Sequence, residues 1–321
     1  PKHPYLWRGT EIANQGEQQK FDLAAGLQAA TEIYLRRLID AWLKTQDIFK
    51  DVDNVCFAGG VTLNSVAMGK LLSWHPDKNV YVTPTPHDGG LTIGSAQYLW
   101  HHILDNPRIK WEDNFTPYLG DNHSDLVQET IDNNSDKVVA KVVTGDDVVQ
   151  LLNDQKIVAV FGGGSESGRR ALGNRSILAD PRNKDMKDTI NKKVKHRQWF
   201  RPFAPSILRE EVSNWFVKDV DSPYMSFVLK FKESVKDKVP AVVHFDDTAR
   251  LQSVTKNDNP WYYNFIKKWY NVSGVPILLN TSFNDREPIC ETPEHAINCF
   301  LGTNIDYLYF RDVNILINKK K

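Results

Sequence analysis

From about Lys20 to Lys44 apolar residues recur at helical spacing: Phe21, Ala24, Leu27, Leu38 and Trp42 stand among the polar Glu32, Arg36 and Lys44. That period predicts one long amphipathic helix. The pattern then changes. Asn54-Val55-Cys56-Phe57-Ala58 is a short apolar run closed by Gly59-Gly60. It predicts a buried strand that turns sharply into a helix from Leu63 to Trp74. Val80-Tyr81-Val82 repeats the theme, followed by Pro84, Pro86, His87-Asp88-Gly89-Gly90 and a helix from about Leu91 to Leu104. Alternating strands and helices imply an α/β layer.

Between Asp105 and about Ser135 the periodicity fades and Asn, Asp, Pro and Gly accumulate. This stretch predicts a connection between domains, leading into a polar helix near 124–133. The expected division is 1–118 and 119–321. The second part predicts helices near 146–154, 185–193, 260–270 and 293–300, the last capped by Thr292 with Pro293 in its first turn. Strands are expected at 157–161, 203–208, 226–231, 276–280, 305–310 and 313–318, a mixed α/β domain with an antiparallel component. No internal repeat and no low-complexity tract interrupts it.

Composition narrows the class. The 321 residues are 41% hydrophobic and 25% charged, ordinary for a globular chain of about two domains. Forty basic residues balance forty acidic ones. Zero net charge argues against a nucleic-acid coat or a polybasic membrane binder. Cys56, Cys290 and Cys299 make neither a disulfide framework nor a CxxC metal knuckle. No apolar run reaches the roughly 18 residues of a membrane span, and no signal peptide is present, so a cytoplasmic location is expected. The chain begins Pro1-Lys2-His3 without Met, and the expectation is a piece of something longer.

Four patches carry candidate chemistry. The first runs from Gly162-Gly163-Gly164 through Ser165-Glu166-Ser167-Gly168 to Arg169-Arg170-Ala171-Leu172-Gly173-Asn174-Arg175-Ser176. Glycines let backbone amides approach an anion, and arginines bind its oxygens bidentately. It is neither Walker A, lacking Gly-Lys-Ser/Thr, nor a nucleophile elbow, having Glu166 where Ser is required. The alternative is a surface loop with solvated arginines.

The second patch, Lys195-His196-Arg197-Gln198-Trp199-Phe200-Arg201-Pro202-Phe203-Ala204-Pro205-Ser206, interleaves cations with aromatics, as nucleotide sites do. Pro202 and Pro205 predict a shaped loop more than a long strand. The third, His244-Phe245-Asp246-Asp247-Thr248-Ala249-Arg250, reads as a metal half-site or as a turn, with Arg250 as a further cation. The fourth, Asn280-Thr281-Ser282-Phe283-Asn284, puts hydroxyls and amides at a strand end, a ligand-contact pattern or a polar turn.

Together these patches, with Ile177-Leu178-Ala179-Asp180-Pro181-Arg182 and Glu287-Pro288, resemble the NodU/CmcH carbamoyltransferase family in order, spacing and identity. Ala58-Gly59-Gly60-Val61-Thr62-Leu63-Asn64, Pro86-His87-Asp88-Gly89-Gly90 and Ile93-Gly94-Ser95-Ala96 are similar to the same family's first domain. The resemblance implies the second half of an actin/hexokinase-like ATPase domain followed by a YrdC-like domain. It implies an O-carbamoyltransferase that forms carbamoyl adenylate from carbamoyl phosphate and ATP, with Mg2+, and passes the carbamoyl group to a hydroxyl acceptor.

By that resemblance Arg170, Lys195, Arg201, Arg250 and Ser282 carry the chemistry. Gly59, Gly60, Asn64, Gly89, Arg175 and Asn280 bind nucleotide or phosphate, and Asp88 matches a ligand of the family's divalent metal, such as iron. The family's helical His pair does not precede Asp88, and His101-His102 are adjacent, so no bound metal is expected here. Arg169 replaces the family's usual proline. A half-domain should leave an apolar face, so dimerisation, as a homodimer, or rearrangement is expected, with no nucleic-acid or membrane partner. A nucleotide-binding or assembly module without turnover, and a threonylcarbamoyl-adenylate synthase-like activity, are the rival readings.

Overall fold

The computed structural model describes residues 17–45, 51–108 and 116–320 and is mixed α/β. Its helices are α1 (Glu17–Thr45), α2 (Ser65–Trp74), α3 (Leu91–Tyr98), α4 (Val127–Asn133), α5 (Gly145–Asn153), α6 (Met186–Lys193), α7 (Val212–Trp215), α8 (Pro260–Ser273) and α9 (Pro293–Gly302). Its strands are β1 (Asn54–Phe57), β2 (Asn79–Val82), β3 (Val138–Val142), β4 (Val158–Phe161), β5 (Arg175–Ala179), β6 (Ala204–Leu208), β7 (Phe227–Lys230), β8 (Thr248–Val254), β9 (Ile277–Ser282), β10 (Tyr307–Phe310) and β11 (Ile315–Lys319). β1 and β2 form a two-stranded sheet. The chain divides into two compact units, Pro1–Val55 with Lys70–Tyr81, and Cys56–Gly69 with Val82–Lys321.

In the first unit α1 is the predicted long helix. Lys70 donates to the Glu32 carboxylate, and His75 Nε2 lies 3.2 Å from Asp40. The predicted apolar stripe is not covered: Leu27, Leu38 and Trp42 are each more than half exposed, while Ile39 is buried.

The second unit is built on a nine-stranded sheet in the order β3-β11-β10-β4-β5-β9-β6-β8-β7. β10 runs parallel to β4 and β6 parallel to β8, and the other pairings are antiparallel. β4, β5 and β6 are buried along their whole length, which explains the unbroken apolar runs in β4 and most of β6. One side of the core joins Val148, Val149 and Leu152 of α5 to Tyr262, Phe265, Ile266 and Trp269 of α8, over Val158, Val160, Leu178 and Leu278. α5 opens with a capping box between Thr144 and Asp147. α8 opens on Asn259 with Pro260 in its first turn and stops at Gly274, whose φ of 74° suits a residue without Cβ. Trp269 is fully buried and its Nε1 donates to Ile277 O at 2.8 Å. Truncating it to Ala would cost about 3–5 kcal/mol.

Three strands go beyond the sequence prediction, each for a local reason. β3 is an edge strand with only Val138 buried, so it shows no alternation. β5 begins with a buried arginine inside what reads as a polar loop. β8 buries Gln252 and Ser253, which the fold satisfies: Ser206 Oγ donates to Gln252 Oε1 at 2.6 Å and Ser222 N to Ser253 Oγ at 2.8 Å. The helix expected from Leu91 to Leu104 keeps α geometry only to Tyr98 and ends in a wider π turn, Leu99–Ile103. The second patch is a shaped loop only as far as Phe203. Pro205 lies inside β6 opposite Leu279 of β9, and pairing with β8 starts at Ser206.

Candidate anion site

The glycine-rich segment between β4 and β5 is wound around two side chains. Glu166 Oε1 accepts the amides of Leu172 (2.7 Å), Asn174 (2.9 Å) and Arg175 (3.3 Å). Arg175 is fully buried. Its guanidinium donates to Gly162 O, Gly163 O, Asn174 O and Asp121 O at 3.0–3.2 Å, and lies 3.7 Å from the Phe161 ring centre. Burial holds its pKa below the ordinary arginine value. Gly173 closes the turn at φ 114°, where an added Cβ would stand 2.5 Å from the Tyr262 ring, so only glycine fits. Thus Arg175, a candidate phosphate contact by sequence, shapes the loop from inside. Asn280 is likewise interior, donating to Ala171 O, Ser206 Oγ and Gln252 Oε1 at 3.0–3.1 Å.

Arg170 differs. It reaches a cavity of about 280 Å³ walled by Asn64, Ser65, Phe203, His244 and Arg250. One of its nitrogens donates to Leu63 O at 3.1 Å. Arg250 reaches the same space from β8. Burial, then the charges of Arg170 and Arg197, lower its pKa to about 9. Its Nε is buried and has no hydrogen-bond partner among the described residues. Arg197 lies 4.8 Å over the Phe203 ring and donates to Asn191 Oδ1 at 2.8 Å. Burial and the charge of exposed Arg201 lower its pKa to about 10. Among the described residues no carboxylate forms an ion pair with Arg170, Arg197, Arg201 or Arg250. His244 is pushed down to about 4, first by burial and then by Arg250, so it is neutral at pH 7. Its Nε2 is also buried without a partner among the described residues. Mutually repelling, partly desolvated cations of this kind are costly in a bare fold and favour an anion between them.

Lys195 and Ser282 come together at the exit of β9. Lys195 Nζ donates to Ser282 O (2.6 Å), Ser282 Oγ (3.1 Å), Asn284 O (2.7 Å) and Asn284 Oδ1 (2.7 Å). All four acceptors are neutral. Burial therefore dominates and lowers its pKa to about 7, with Arg197 adding to the shift.

The glycine turns that resemble the family's first domain do different work. Gly59, at φ 105°, donates its amide to Pro86 O, joining the turn 59–64 to the turn 86–90. Gly60 opens a 3-10 turn, Gly60–Leu63, and Asn64 Oδ1 accepts the Ala67 amide. Gly89 donates to His87 Nδ1 at 2.9 Å. Asp88 is exposed at the head of this turn and, among the described residues, belongs to no cluster of three ligand-type side chains. Thr85 Oγ1 and Ser167 Oγ, 3.2 Å apart, tie the second turn to the arginine loop.

The structure thus gathers Arg170, Arg250 and Asn64 at one cavity, pairs Lys195 with Ser282 at the exit of β9, and leaves Arg175 and Asn280 in the interior. Sequence reasoning did not select Arg197 or Glu166 as site residues, and weighed His244 only as part of a metal half-site or a turn. Arg197 lay in a patch already marked by alternating cations and aromatics. The other two needed the fold to show what they face.

A family model described as Carbamoyltransferase C-terminus matches residues 149–318, and one described as Carbamoyltransferase N-terminus matches residues 5–97. The chain belongs to the carbamoyltransferase family. It is 37% identical over 318 residues to Nodulation protein NolNO of Sinorhizobium fredii, covering 95% of this chain and 46% of that protein. It is 35% identical over 317 residues to Nodulation protein NolO of Bradyrhizobium diazoefficiens, covering 95% and 57%. The chain spans about half the length of these relatives. Among solved structures, full-length HypF in its phosphate- and nucleotide-bound form gives a TM-score of 0.37 at 19% identity, over 57% of this chain and 22% of that one.

Proposed function

We propose that the arginine cavity binds carbamoyl phosphate and that the chain forms carbamoyl adenylate from it and ATP, for transfer to a hydroxyl acceptor. The observation that carries this reading is the convergence of Arg170, Arg197 and Arg250 with no ion-paired carboxylate among the described residues. About 280 Å³ is below the ~300–1,000 Å³ of drug-sized ligand sites, so it suits a small dianion, with ATP extending outward.

In this reading water cleaves carbamoyl phosphate to carbamate and phosphate. A carbamate oxygen attacks the α-phosphorus of ATP as the bond to diphosphate breaks. Arg170 and Arg250 hold the charge that moves onto oxygen, and Arg197 and Arg201 extend that field toward the nucleotide phosphates. Neutral His244 offers a ring nitrogen to the ligand without adding charge. The acceptor hydroxyl then attacks the carbamoyl carbon, AMP leaves, and the hydroxyl proton passes to solvent. Mg2+ would accompany ATP. The domain division at residue 118, and an actin-like first half joined to a YrdC-like second half, belong to the same proposal.

The test is carbamoyl-phosphate-dependent release of diphosphate from ATP by the full chain. Release that vanishes in Arg170→Ala and Arg250→Ala supports the reading. Tight ATP binding with no release from a folded sample would make the chain a nucleotide-binding module instead.

A further inference from the structure

Outside the arginine cavity, three ligand-type side chains converge. The carboxylate of Glu287 and the thiols of Cys290 and Cys299 place ligand atoms all within 4.8 Å of one another. Both thiols are free and buried, and Glu287 is on the exposed side. The fold sets their positions. Cys290 follows the β9 exit, where its amide donates to Phe283 O at 2.9 Å, and Cys299 lies on α9. The Glu287 carboxylate accepts the amides of Asp285 (2.9 Å) and Arg286 (3.0 Å), which hold it in place. A cavity of about 580 Å³ adjoins the cluster and is lined by Glu287, Cys299, His295 and Asp285. His295 stands four residues before Cys299, hence on the same face of α9.

We propose that Glu287, Cys290 and Cys299 form a site for a thiophilic divalent cation of the zinc class, with a fourth position open to the cavity beside His295. Two thiolates select zinc-like ions over magnesium or calcium, which prefer oxygen. Zinc–sulfur bonds of about 2.3 Å in a tetrahedron set donors about 3.8 Å apart, so small side-chain rotations close the present spacing. Binding releases both thiol protons to solvent. Three anionic donors on a divalent ion leave one negative charge, and Lys195 and Lys319 are the cations whose fields reach Cys299. Glu287 O also accepts Asn284 Nδ2 at 2.7 Å, and Asn284 is a partner of Lys195. A bound ion would therefore brace the β9 exit. This site stands or falls independently of the carbamoyl chemistry.

The test uses the full chain, reduced, stripped with chelator and titrated with Co2+. One equivalent should produce a thiolate-to-cobalt charge-transfer band and tetrahedral visible bands, both abolished by added Zn2+. Cys290→Ser and Cys299→Ser should remove the signal and Cys56→Ser should not. Because the two buried cysteines also pack, Glu287→Gln keeps the test on an intact fold and should weaken binding at least roughly tenfold. No charge-transfer band in folded wild-type protein, or a band unchanged in Cys290→Ser and Cys299→Ser, overturns the proposal.

Discussion

Arg170 and Arg175 stand five residues apart in one loop, yet they do opposite things. Arg175 is held from several sides: its terminal nitrogens donate to four backbone carbonyls and Phe161 covers its face, while its Nε has no hydrogen-bond partner among the described residues. Arg170 has one carbonyl partner and faces a cavity shared with Arg250. The same residue type is a loop-forming strut in one place and a cavity-facing cation in the other. What separates them is how many backbone carbonyls meet each terminal group, several against one, since both are desolvated.

That contrast can be broken by substitution. The largest expected effect is on stability at Arg175, the loop-forming arginine. Arg175→Met should cost about 3 kcal/mol or more, because it strands several buried carbonyls, and urea unfolding would read this directly. Unchanged stability would remove the distinction. Next, Arg250→Ala should lower carbamoyl-phosphate-dependent diphosphate release by about a hundredfold or more, as losing one charge-stabilising donor does. Its melting temperature should stay at or above that of the unsubstituted protein, since a repelling cation is gone.

A smaller effect sharpens the ligand side. Inorganic phosphate should stabilise the wild-type chain by up to about 2.7 kcal/mol at a hundredfold excess over its Kd. Thermal shifts should show this protection lost in Arg170→Ala. Equal protection in both proteins would place the anion elsewhere.

The smallest expected effect concerns Lys195, the third kind of cation, fully hydrogen-bonded but only to neutral oxygens. Its pKa falls from the usual 10.5 to about 7 in the folded chain. Between these values the unfolded chain holds a proton that the folded chain has released, so stability rises with pH across that window. The slope is at most about 1.4 kcal/mol per pH unit. Denaturation midpoints compared at pH 7.5 and 8.5 should show Lys195→Met losing this part of the slope. An identical slope would mean that the lysine keeps its charge through the window.

Much of this architecture was legible along the chain because apolar periodicity and turn residues act locally. The helices near 146–154, 185–193 and 260–270 and the strands ending at Phe161 and Phe310 follow from short-range pattern. β5 and β8 escaped because their buried polar residues, Arg175, Gln252 and Ser253, are satisfied by partners distant in sequence. The cationic patches were legible for a similar local reason, as arginines cluster around Gly168 and Phe200. Which arginine braces the loop was not, because that depends on carbonyls delivered by other loops, such as Asp121 O. The cluster of Glu287, Cys290 and Cys299 was invisible in spacing alone, since α9 must fold back before Cys299 meets Cys290.

Gly69 bears on how this protein could be taken apart. An added Cβ there would meet Val228 O at 2.2 Å, so the backbones of α2 and β7 touch, and Ser65 Oγ donates to Met225 O beside them. The segment so fastened also supplies Leu63, Asn64, Ser65 and Val66 to the arginine cavity. The arginine cavity is therefore not a module of the carboxy-terminal sequence. A clone spanning only the 149–318 match would carry its arginines with one wall cut away, and a recombination junction placed anywhere between residues 69 and 149 would separate the two sides of a single pocket.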